Sequence, residues 1–423
     1  MTLRSGARLL VFSCLATVLL ASPHSARAAD GSLDPAFGDN GKVLTDFGSG
    51  LQFAYDVVVQ ADGRIVVAGG IQTQGFALAR YNDDGSPDPS FGGDGMVRTS
   101  GFRFNGSAVS STAIDRDGDI VAAGSTFTEP SREERFALAR YDNHGRLDPA
   151  FGDDGRVWTR FSPRNARASG LAIQADDRIV AAGGASGKFA LARYNPDGTL
   201  DASFGDHGKV QTAFGARYSS AEGIAIHADG KIVLAGTAGF GDTWFALARY
   251  RRDGTLDASF GGDGKVRTRL GSPYASAHGI AIQADGKIVV AGRSSDRFAL
   301  ARYNLNGSLD ASFGGDGIVT TRFRSYATAF DVDIDADGRI LVAGEVCCGV
   351  EPPGSGFALA RYTPAGDLDA SFGGDGRVRT TFRFGYGPAT ALTIQPDGKV
   401  VAAGWAGFGH GTVYFAVVRY LAS

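Results

Sequence analysis

Cysteine is scarce in this sequence. The 423 residues include three cysteines, and beyond residue 28 only the adjacent Cys347 and Cys348 remain. A disulfide stabilises a fold by closing a loop of chain. Two neighbouring cysteines close no loop, so the core must hold this fold together. In an oxidising compartment we expect the pair to be oxidised, as a vicinal disulfide that stiffens its loop rather than as a reactive redox pair.

Long apolar runs are also rare. The run from Leu9 to Ala21 follows Arg4 and Arg8 and precedes small residues up to Ala28, which is the pattern of a secretory signal peptide. This run is too short to span a bilayer as a helix. The sequence therefore predicts a signal peptide over residues 1–28 and one exported domain over residues 29–423, periplasmic or extracellular, with no membrane span.

Neither charge sign dominates, and motifs that carry chemistry are missing. Removal of Arg4, Arg8 and Arg27 would leave 39 of the 42 Lys and Arg residues against 45 Asp and Glu residues, a net charge of −6. This balance gives no reason to expect nucleic acid as a partner. The sequence has no Cys or His cluster at metal spacing, no phosphate-binding loop and no nucleophile elbow. We expect neither a metal nor another cofactor.

The remaining sequence is one unit repeated seven times. A Phe-Ala-Leu-Ala-Arg-Tyr block recurs at spacings of 53 to 60 residues, and an Asp-x-x-Phe-Gly-x-x-Gly block accompanies it. The first block begins at Phe76, Phe136, Phe189, Phe245, Phe298 and Phe357, with a Phe-Ala-Val-Val-Arg-Tyr variant at Phe415. The second block begins at Asp34, Asp88, Asp148, Asp201, Asp257, Asp310 and Asp369. Repeats of this period indicate a solenoid or a propeller.

Each repeat contains four candidate strands, here named A to D in chain order. In the fifth repeat they cover residues 279–283, 288–292, 298–303 and 318–323. Four-stranded units repeated around an axis form a β-propeller, which keeps its strand edges short and protected. The chain starts with a lone D strand and ends with an A-B-C set. The sequence thus predicts an all-β fold, a seven-bladed β-propeller of four-stranded antiparallel blades in which the N-terminal strand completes the C-terminal blade.

The repeat motifs resemble known propeller families. The hairpin Gly-Ile-Ala-Ile-Gln-Ala-Asp-Gly-Lys-Ile from Gly279, followed by a third strand and an Asn-Gly turn, resembles the NHL class of propeller. The Leu-Asp-x-Ser-Phe-Gly-Gly-Asp-Gly pattern after each Ala-Arg-Tyr is similar to the bacterial delta-60 repeat β-propeller family. The resemblance covers residues 31–420 and implies the fold. It implies no activity.

The connections between the strands differ in how much they vary. The A–B spacing is always six residues and the spacing from the C-strand Tyr to the next Phe-Gly is always ten, whereas the B–C connection runs from 5 to 12 residues. In an antiparallel blade the A–B and C–D turns share one side, here called the turn face, and the B–C and D–A connections share the other, here called the loop face. Since binding residues concentrate on loops of a rigid scaffold, we expect function on the loop face.

Aromatic and basic side chains are frequent in the loop-face connections. They suit stacking and hydrogen bonding with an anionic or sugar-rich polymer, although such residues also commonly cover exposed blade edges without any ligand. We predict that the ligand-binding residues are Trp244, Trp405, His410, Tyr274, Tyr326 and Arg324.

An Arg precedes an Asp by eight residues in six of the repeats. These predicted structural pairs include Arg80 with Asp88 and Arg249 with Asp257, and ring closure would add Arg419 with Asp34. A feature repeated in every blade is typical of structure rather than of catalysis, because an active site is normally built once. We therefore expect one charge-assisted pair in each blade to hold its C–D connection. The Gly-Gly-Asp-Gly and Ala-Asp-Gly motifs indicate turns rather than calcium sites, because the ligand spacing is wrong for calcium.

One position near the start of each A strand changes from blade to blade. It is occupied by Tyr55, Ser110, Ser169, Glu222, His278, Phe330 and Thr390. Such residues commonly fill or wet the propeller axis, but Glu222 and His278 would suit acid–base catalysis if they converged.

Together these observations favour a non-catalytic binding or scaffold propeller. The expected partner is an extracellular polymer such as an acidic glycan, or a surface protein, and we expect a monomer. The alternative is a propeller enzyme, a lyase or a hydrolase, with Glu222 and His278 at its axial mouth. A structural envelope protein without a ligand is a third hypothesis.

Overall fold

The fold consists of β-strands arranged around one axis. The computed structural model describes residues 29–48, 50–72, 74–100, 107–128, 133–161, 165–349, 354–382, 385–408 and 411–422. All the regular secondary structure within these ranges is β-strand. Accordingly, the described part of the chain has no helix that could span a membrane. Cys347 is disulfide-bonded, and the side chain of Cys348 lies outside the described residues.

The strands form seven sheets, numbered here as blades. The first strand is β1 (Lys42–Thr45). Blade 1 contains β2 (Gln52–Val59), β3 (Ile65–Ile71), β4 (Gly75–Tyr81) and β5 (Met96–Thr99). Blade 2 contains β6 (Ala108–Ile114), β7 (Ile120–Thr128), β8 (Glu133–Tyr141) and β9 (Arg156–Thr159). Blade 3 contains β10 (Ala166–Ile173), β11 (Ile179–Ala185), β12 (Lys188–Tyr194) and β13 (Lys209–Thr212).

The remaining blades follow the same order. Blade 4 contains β14 (Ser219–Ile226), β15 (Ile232–Phe240), β16 (Asp242–Tyr250) and β17 (Lys265–Thr268). Blade 5 contains β18 (Ala275–Ile282), β19 (Ile288–Ser294), β20 (Arg297–Tyr303) and β21 (Ile318–Thr321). Blade 6 contains β22 (Tyr326–Ile334), β23 (Ile340–Gly349), β24 (Gly354–Tyr362) and β25 (Arg377–Thr380). Blade 7 contains β26 (Gly385–Tyr386), β27 (Ala389–Ile394), β28 (Val400–Phe408) and β29 (Thr412–Tyr420), together with β1.

Blade 7 closes the ring with both ends of the chain. Strand β1 pairs antiparallel with β29, with Lys42 opposite Val418 and Thr45 opposite Phe415. The other six blades are each made from four consecutive strands, paired in chain order. This arrangement confirms the predicted seven-bladed propeller and its N-terminal strand in the last blade.

Several predicted strand boundaries of the fifth repeat differ from the structure by one to four residues, and the two described next are at the start of strand A and the end of strand D. Strand β18 begins at Ala275 rather than at Gly279, because Ala275 already pairs with Ser294 of β19. Strand β21 ends at Thr321 rather than at Phe323. The ring of Phe323 is buried instead against Phe298, at 4.7 Å between ring centroids.

The blades are joined by contacts that repeat around the ring. Hydrophobic clusters lie between neighbouring blades, with the C-strand Phe and Tyr fully buried. Each C-strand Tyr hydroxyl bonds to the D-strand Thr of the blade before it, as Tyr303 does with Thr268 at 2.8 Å. The equivalent bond between Tyr81 and Thr45 measures 2.6 Å and crosses from blade 1 to blade 7. Since Thr45 is on β1, the N-terminal strand provides the same inter-blade contact as every other D strand.

Candidate functional site

The variable position of each A strand is a β-bulge. In all seven blades the pairing of strands A and B skips one residue, and the skipped residues are Tyr55, Ser110, Ser169, Glu222, His278, Phe330 and Thr390, here called the axial ring. A bulge leaves its extra residue unpaired and redirects its side chain. The fold therefore places one side chain from every blade at the same level of the axis. Strand pairing does not restrict which residue supplies that side chain.

A glycine in strand B makes each bulge possible. A Cβ atom at Gly236 would lie 2.1 Å from the carbonyl oxygen of Ser220, and one at Gly292 would lie 2.0 Å from that of Ser276. The equivalent glycines are Gly69, Gly124, Gly183, Gly344 and Gly404, each with a strand-A carbonyl oxygen within the same distance. Only glycine permits such a close approach of two backbones, which explains the Ala-Gly pair at the same place in every repeat.

All seven members of the axial ring line one cavity of about 160 Å³. Its other lining residues come from the next two positions of the A strands, and none of the described lining residues belongs to an A–B turn. The described lining of the cavity is thus limited to three consecutive positions of the A strands around the axis.

The predicted acid–base residues Glu222 and His278 lie in adjacent blades of this cavity. Burial raises the pKa of Glu222 above its usual value, opposed by hydrogen bonds from Ser220 and Ser169 and by the charge of Arg167. Burial lowers the pKa of His278 to about 4, and the Arg293 charge lowers it further. The ring of His278 packs at 5.4 Å from that of Phe330, and its Nε2 lies 3.0 Å from Ser276 Oγ. Near neutral pH the imidazole is uncharged.

Two carboxyl groups that the sequence analysis did not single out also line the cavity. Asp331 of blade 6 accepts a hydrogen bond of 2.9 Å from Leu392 N in blade 7. Asp56 of blade 1 accepts hydrogen bonds from the backbone N and the hydroxyl of Thr112 in blade 2. Burial raises the pKa of Asp56 to about 6 and that of Asp331 to about 7, and the charge of Asp56 contributes to the second shift. These two carboxyls connect neighbouring A strands, so their first role is structural.

A larger depression, here called the blade 3 notch, opens beside the axial cavity on the loop face. Its volume is about 470 Å³. Ser169 and Glu222 line both depressions, so the notch and the axial cavity adjoin each other at these two side chains. The other lining residues are Glu134, Asn165, Arg167, Gly184, Ala185, Ser186, Gly187, Tyr218, Ser219 and Ser220. Most of these side chains offer a hydroxyl, an amide or a charge.

The notch exists because the B–C hairpin of blade 3 is short and has no side chain on its floor. Strand β11 has seven residues, whereas β7 and β15 in the flanking blades have nine each. At about 3.3 Å per residue, the rim is lower here by about 7 Å. The residue after the bulge glycine is Gly184, which is half-exposed, whereas its equivalent in blade 1, Gly70, is buried under Ala108.

Blade 5 offers the natural comparison. Its B–C hairpin is as short as that of blade 3, with seven residues in β19, but Arg293 takes the place of Gly184. The Arg293 guanidinium lies 5.6 Å from the ring centroid of Tyr326, and its Nε donates to Ser276 Oγ at 3.2 Å. Trp405 occupies the same position in blade 7, where it packs edge-on to Phe53 at 5.2 Å.

Exposed aromatic residues are confined to the loop face. Of the described residues, the large hydrophobic side chains that are exposed there are Phe127, Tyr218, Phe240, Tyr274 and Tyr386. The two others, Leu44 and Leu305, are aliphatic and lie on a D strand and in a C–D turn. Three of the five aromatics, at positions 218, 240 and 274, belong to the connections around blade 4.

Arginines stack on the aromatic residues of blade 4. The Arg217 guanidinium lies 4.6 Å from the Phe240 ring centroid. Trp244 has Arg267 at 5.1 Å and Arg269 at 5.8 Å. These five residues are here called the blade 4 platform. Arg217 precedes Tyr218 in the chain, so the platform adjoins the notch.

The six predicted ligand-binding residues do not form one cluster. Trp244 belongs to the blade 4 platform, and Tyr274 is 60% exposed beyond it. Tyr326 is half-buried beside Arg293, and Arg324 is exposed nearby. Trp405 is half-buried against Phe53 and Tyr386 in blade 7. His410 lies outside the described residues.

On the turn face, the structure contains an Arg–Asp ion pair in every blade. The Nε–Oδ2 distance is 2.8 Å for Arg80 and Asp88, 2.9 Å for Arg249 and Asp257, and 2.9 Å for Arg419 and Asp34. The remaining pairs are Arg140 with Asp148, Arg193 with Asp201, Arg302 with Asp310 and Arg361 with Asp369. Most of these side chains are buried.

Each of these arginines also reaches the next blade. Nη1 of Arg80 donates to the Asn143 carbonyl in the C–D turn of blade 2 at 2.7 Å, and Nη1 of Arg249 donates to the Leu305 carbonyl in blade 5. The blade that follows blade 6 is blade 7, and its C–D connection is divided between the two ends of the chain. There Arg361 bonds to Asp30 through Nη2 at 3.0 Å, and its buried Nη1 has no hydrogen-bond partner.

The aspartates of the A–B turns accept hydrogen bonds from backbone N–H groups. Asp62, Asp229 and Asp397 each accept a hydrogen bond from the backbone N two residues later, which is the Asx-turn pattern. In the described part of the chain no group of three His, Cys, Asp or Glu side chains is arranged to hold a metal ion.

Sequence reasoning missed the notch and the buried carboxyls. The sequence signal for the notch is the identity of the residue after each bulge glycine. From blade 1 to blade 7 these residues are Gly70, Ser125, Gly184, Thr237, Arg293, Glu345 and Trp405. This position varies as much as the axial ring does. No comparable signal identifies Asp56 and Asp331, because their burial depends on the neighbouring blades.

Comparisons with known proteins agree with the fold. Residues 60–91, 116–151, 174–204, 227–260, 283–313, 336–372 and 395–423 match the family "Domain of unknown function (DUF5122) beta-propeller". No curated protein sequence matches the chain.

Solved structures with a similar fold share little sequence with this chain. One is a catalytically inactive virginiamycin B lyase from Staphylococcus aureus with quinupristin, at 11% identity and a TM-score of 0.54, covering 90% of this chain and 99% of the lyase. Another is a protein from Lactobacillus plantarum, at 14% identity and a TM-score of 0.51, covering 83% of this chain and 98% of that protein. At this identity the likeness extends to the fold alone. The seven matched segments cover more than half of the sequence, and the chain therefore belongs to the DUF5122 β-propeller family.

Proposed function

We propose that this protein is an exported, non-catalytic binding propeller that recognises an acidic polysaccharide through its loop face, around blades 3 to 5. The observation that carries the proposal is the distribution of exposed aromatic side chains, which among the described residues occur on this face alone. Aromatic rings stack on the apolar faces of sugars, and the arginines beside them donate hydrogen bonds to carboxylates.

The surroundings of the aromatic rings favour a glycan over a protein partner. No large aliphatic side chain is exposed among the described residues of the loop face, and the notch is lined mainly by hydroxyl, amide and charged groups. Sugars present the same mixture of polar groups and small apolar faces. The net charge of the exported chain is negative, so an acidic ligand must be held by local arginines rather than by the overall field.

A glycan-binding assay with matched variants tests this function. The chain without its predicted leader, residues 29–423, would be titrated with acidic and neutral polysaccharides at low and high salt. The Tyr218→Ala/Phe240→Ala double variant should weaken binding of the acidic polymer by about tenfold or more, equivalent to about 1.4 kcal/mol. Added salt should also weaken it, because the ion pairs are exposed. Leu305→Ala removes an equally exposed side chain from the turn face and should change nothing.

Binding of a protein but of no polysaccharide would contradict the proposal. So would polysaccharide binding that is equally strong in the double variant. A melting curve for each variant separates loss of binding from loss of fold.

The axial cavity supports a second candidate function, a lyase or hydrolase acting on the same class of polymer. The favouring observation is that Glu222 and His278 line one cavity with pKa values moved in opposite directions, a pattern found at acid–base sites. Release of shorter chains from an acidic polymer by the wild type, abolished in Glu222→Gln, would support the enzyme. Intact polymer after prolonged incubation would support the binding function.

A further inference from the structure

We propose that the blade 3 notch and the axial cavity together hold the end of a linear acidic glycan, with its last sugar ring at the axis and the next sugars lying across the notch. This inference rests on the proposed function and specifies which part of the polymer is recognised. The sequence comparison and the fold family assign neither depression.

Continuity of the two depressions is the first argument. Ser169 and Glu222 contribute to the walls of both, so a ligand in one depression touches the same residues as a ligand in the other. The notch is open to solvent over the short hairpin of blade 3, between the longer hairpins of blades 2 and 4. A chain can therefore enter from the side, over one blade, and reach the axis.

The depth of the axial cavity is the second argument. The described lining ends two positions after the axial ring, at Leu171, Ile224 and Ile280. We therefore place the end of a chain, rather than a chain that passes through, in this cavity. Its volume of about 160 Å³ is close to that of a protein cavity that binds benzene, so we place no more than one sugar ring in it. The notch, at about 470 Å³, has room for further rings.

The polar groups in the notch indicate an acidic sugar. Arg167 is exposed, and its charge acts on both Glu222 and Tyr55 across the axis. It is the one cationic side chain among the described lining residues of the notch, which also include the carboxyl groups of Glu134 and Glu222, and we assign to it the binding of one carboxylate. Asn165, Ser186 and Ser219 supply groups that exchange hydrogen bonds with sugar hydroxyls. A protonated Glu222 would add a donor at the junction.

The outer end of the notch leads to the blade 4 platform. Tyr218 lines the notch and is 51% exposed. Its neighbour Arg217 stacks on Phe240. A chain anchored at the axis can thus continue over Tyr218 onto the platform, which would bind internal sugars less specifically.

Blade 5 shows how the same site is closed. Arg293 occupies the position of Gly184 there, and it stacks on Tyr326. A side chain at Gly184 would meet mainly the Ser220 side chain, with the new Cβ 2.6 Å from Ser220 Oγ. A small hydroxyl can rotate away, so Gly184→Arg should fill the notch without changing the fold.

The test uses unlabelled oligogalacturonates and polygalacturonate as probes, measured by titration calorimetry with the chain of residues 29–423. Wild type should bind one protein per chain end, so the number of proteins per polymer chain should not rise with chain length. Gly184→Arg and Arg167→Ala should each weaken binding of short oligomers by about tenfold or more. Arg251→Ala, which removes an exposed arginine from the turn face, should stay within about twofold of wild type.

Several outcomes overturn the inference, and one of them separates it from the proposed function. If several proteins bind along one polymer chain, or if both notch variants bind short oligomers as wild type does, the chain-end site is wrong. If the polymer still loses affinity in the Tyr218→Ala/Phe240→Ala variant in that case, the binding function stands and only the end recognition fails. If no acidic probe binds to the wild type, both fail. Arg167→Ala guards against misfolding of Gly184→Arg, because Arg167 is exposed.

Discussion

The turn face and the loop face of this propeller are built from the same strands but differ in how they vary. On the turn face each blade repeats the same Arg–Asp pair, the same link from that Arg to the next blade and the same Asp-rich turn. On the loop face the hairpins differ in length, and the axial ring and the residue after each bulge glycine differ in every blade or nearly so. The repeated features hold the ring together, and the varied features distinguish one blade from another.

The bulge connects these two kinds of feature. Its backbone geometry is the same in all seven blades and depends on a strand-B glycine. The side chain that it directs to the axis is different in almost every blade. The bulge therefore keeps the same backbone geometry in every blade while its side chain varies. The residues that line the axis can differ without a change of fold.

The largest effect is expected from breaking the shared network of the turn face. Arg249→Ala leaves the buried Asp257 with only the more distant Lys231 as a cationic partner, whose Nζ lies 3.6 Å from Oδ2, and removal of one member of a buried pair costs about 3–5 kcal/mol. The exposed pair of Arg269 and Asp242 on the loop face has a similar Nη2–Oδ2 distance, 2.9 Å, but Arg269→Ala should cost less than about 1 kcal/mol. Thermal or urea unfolding of both variants measures the difference. Equal losses would show that burial does not separate the two faces.

A smaller loss of stability is expected from a side chain at a bulge glycine. The Cβ of Gly236→Ala would overlap the Ser220 carbonyl, and strain of this kind costs about 1–3 kcal/mol. Since the bulge must shift to relieve it, Glu222 would also leave its place at the axis. Gly262→Ala is the comparison, because a Cβ there meets nothing within 4 Å and its cost comes only from the positive φ of 90°. Its loss should be the smaller of the two in urea unfolding.

A modest effect is expected from pH, through the carboxyls at the axis. The pKa of Asp56 is raised to about 6 and that of Asp331 to about 7 by burial, whereas unfolded Asp titrates near pH 3.9. The folded state binds more protons between these values, so the two groups favour folding at low pH, and this contribution is lost as pH rises from about 4 to 7. His278, whose pKa is lowered, acts in the opposite direction below about pH 6.5.

The Asp56→Asn/Asp331→Asn variant isolates the two carboxyls. Between pH 5 and pH 8 the free energy of unfolding of this variant should fall less than that of the wild type. The comparison concerns the slope with pH, since asparagine also changes the hydrogen bonds to Thr112 and Leu392. Parallel pH profiles would show that these carboxyls do not titrate in the folded protein as described.

The repeated features of the turn face were predictable from the sequence. The varied features of the loop face were predictable only in part. Six copies of Phe-Ala-Leu-Ala-Arg-Tyr and one variant indicate the blade number, the strand phase and the ring closure, because one wrong assignment would have to be wrong seven times. The axial position of Glu222 and His278 followed from the same phase. The notch did not, because it depends on the height of blade 3 relative to its neighbours and on Gly184, a residue that is notable only in comparison with Arg293.

Side-chain packing also decided what became of the predicted aromatic residues. Trp244 and Tyr274 lie around blade 4, as their connections indicated, but Trp405 is packed by Phe53 and Tyr386. A sequence places a tryptophan on a strand. Which neighbours cover its ring is determined by residues far away in the chain, here in blade 1 and in the segment before blade 7.

Paired melting and binding measurements on Arg249→Ala and Arg167→Ala test the central claim most directly. Arg249 is repeated in every blade of the turn face, and Arg167 occurs once, in the blade 3 notch. The account predicts that Arg249→Ala lowers the melting temperature while the folded fraction still binds the acidic oligomer, and that Arg167→Ala binds weakly with an unchanged melting temperature. The reverse pattern, or equal effects of both variants on both measurements, would contradict the division of this propeller into a structural face and a binding face.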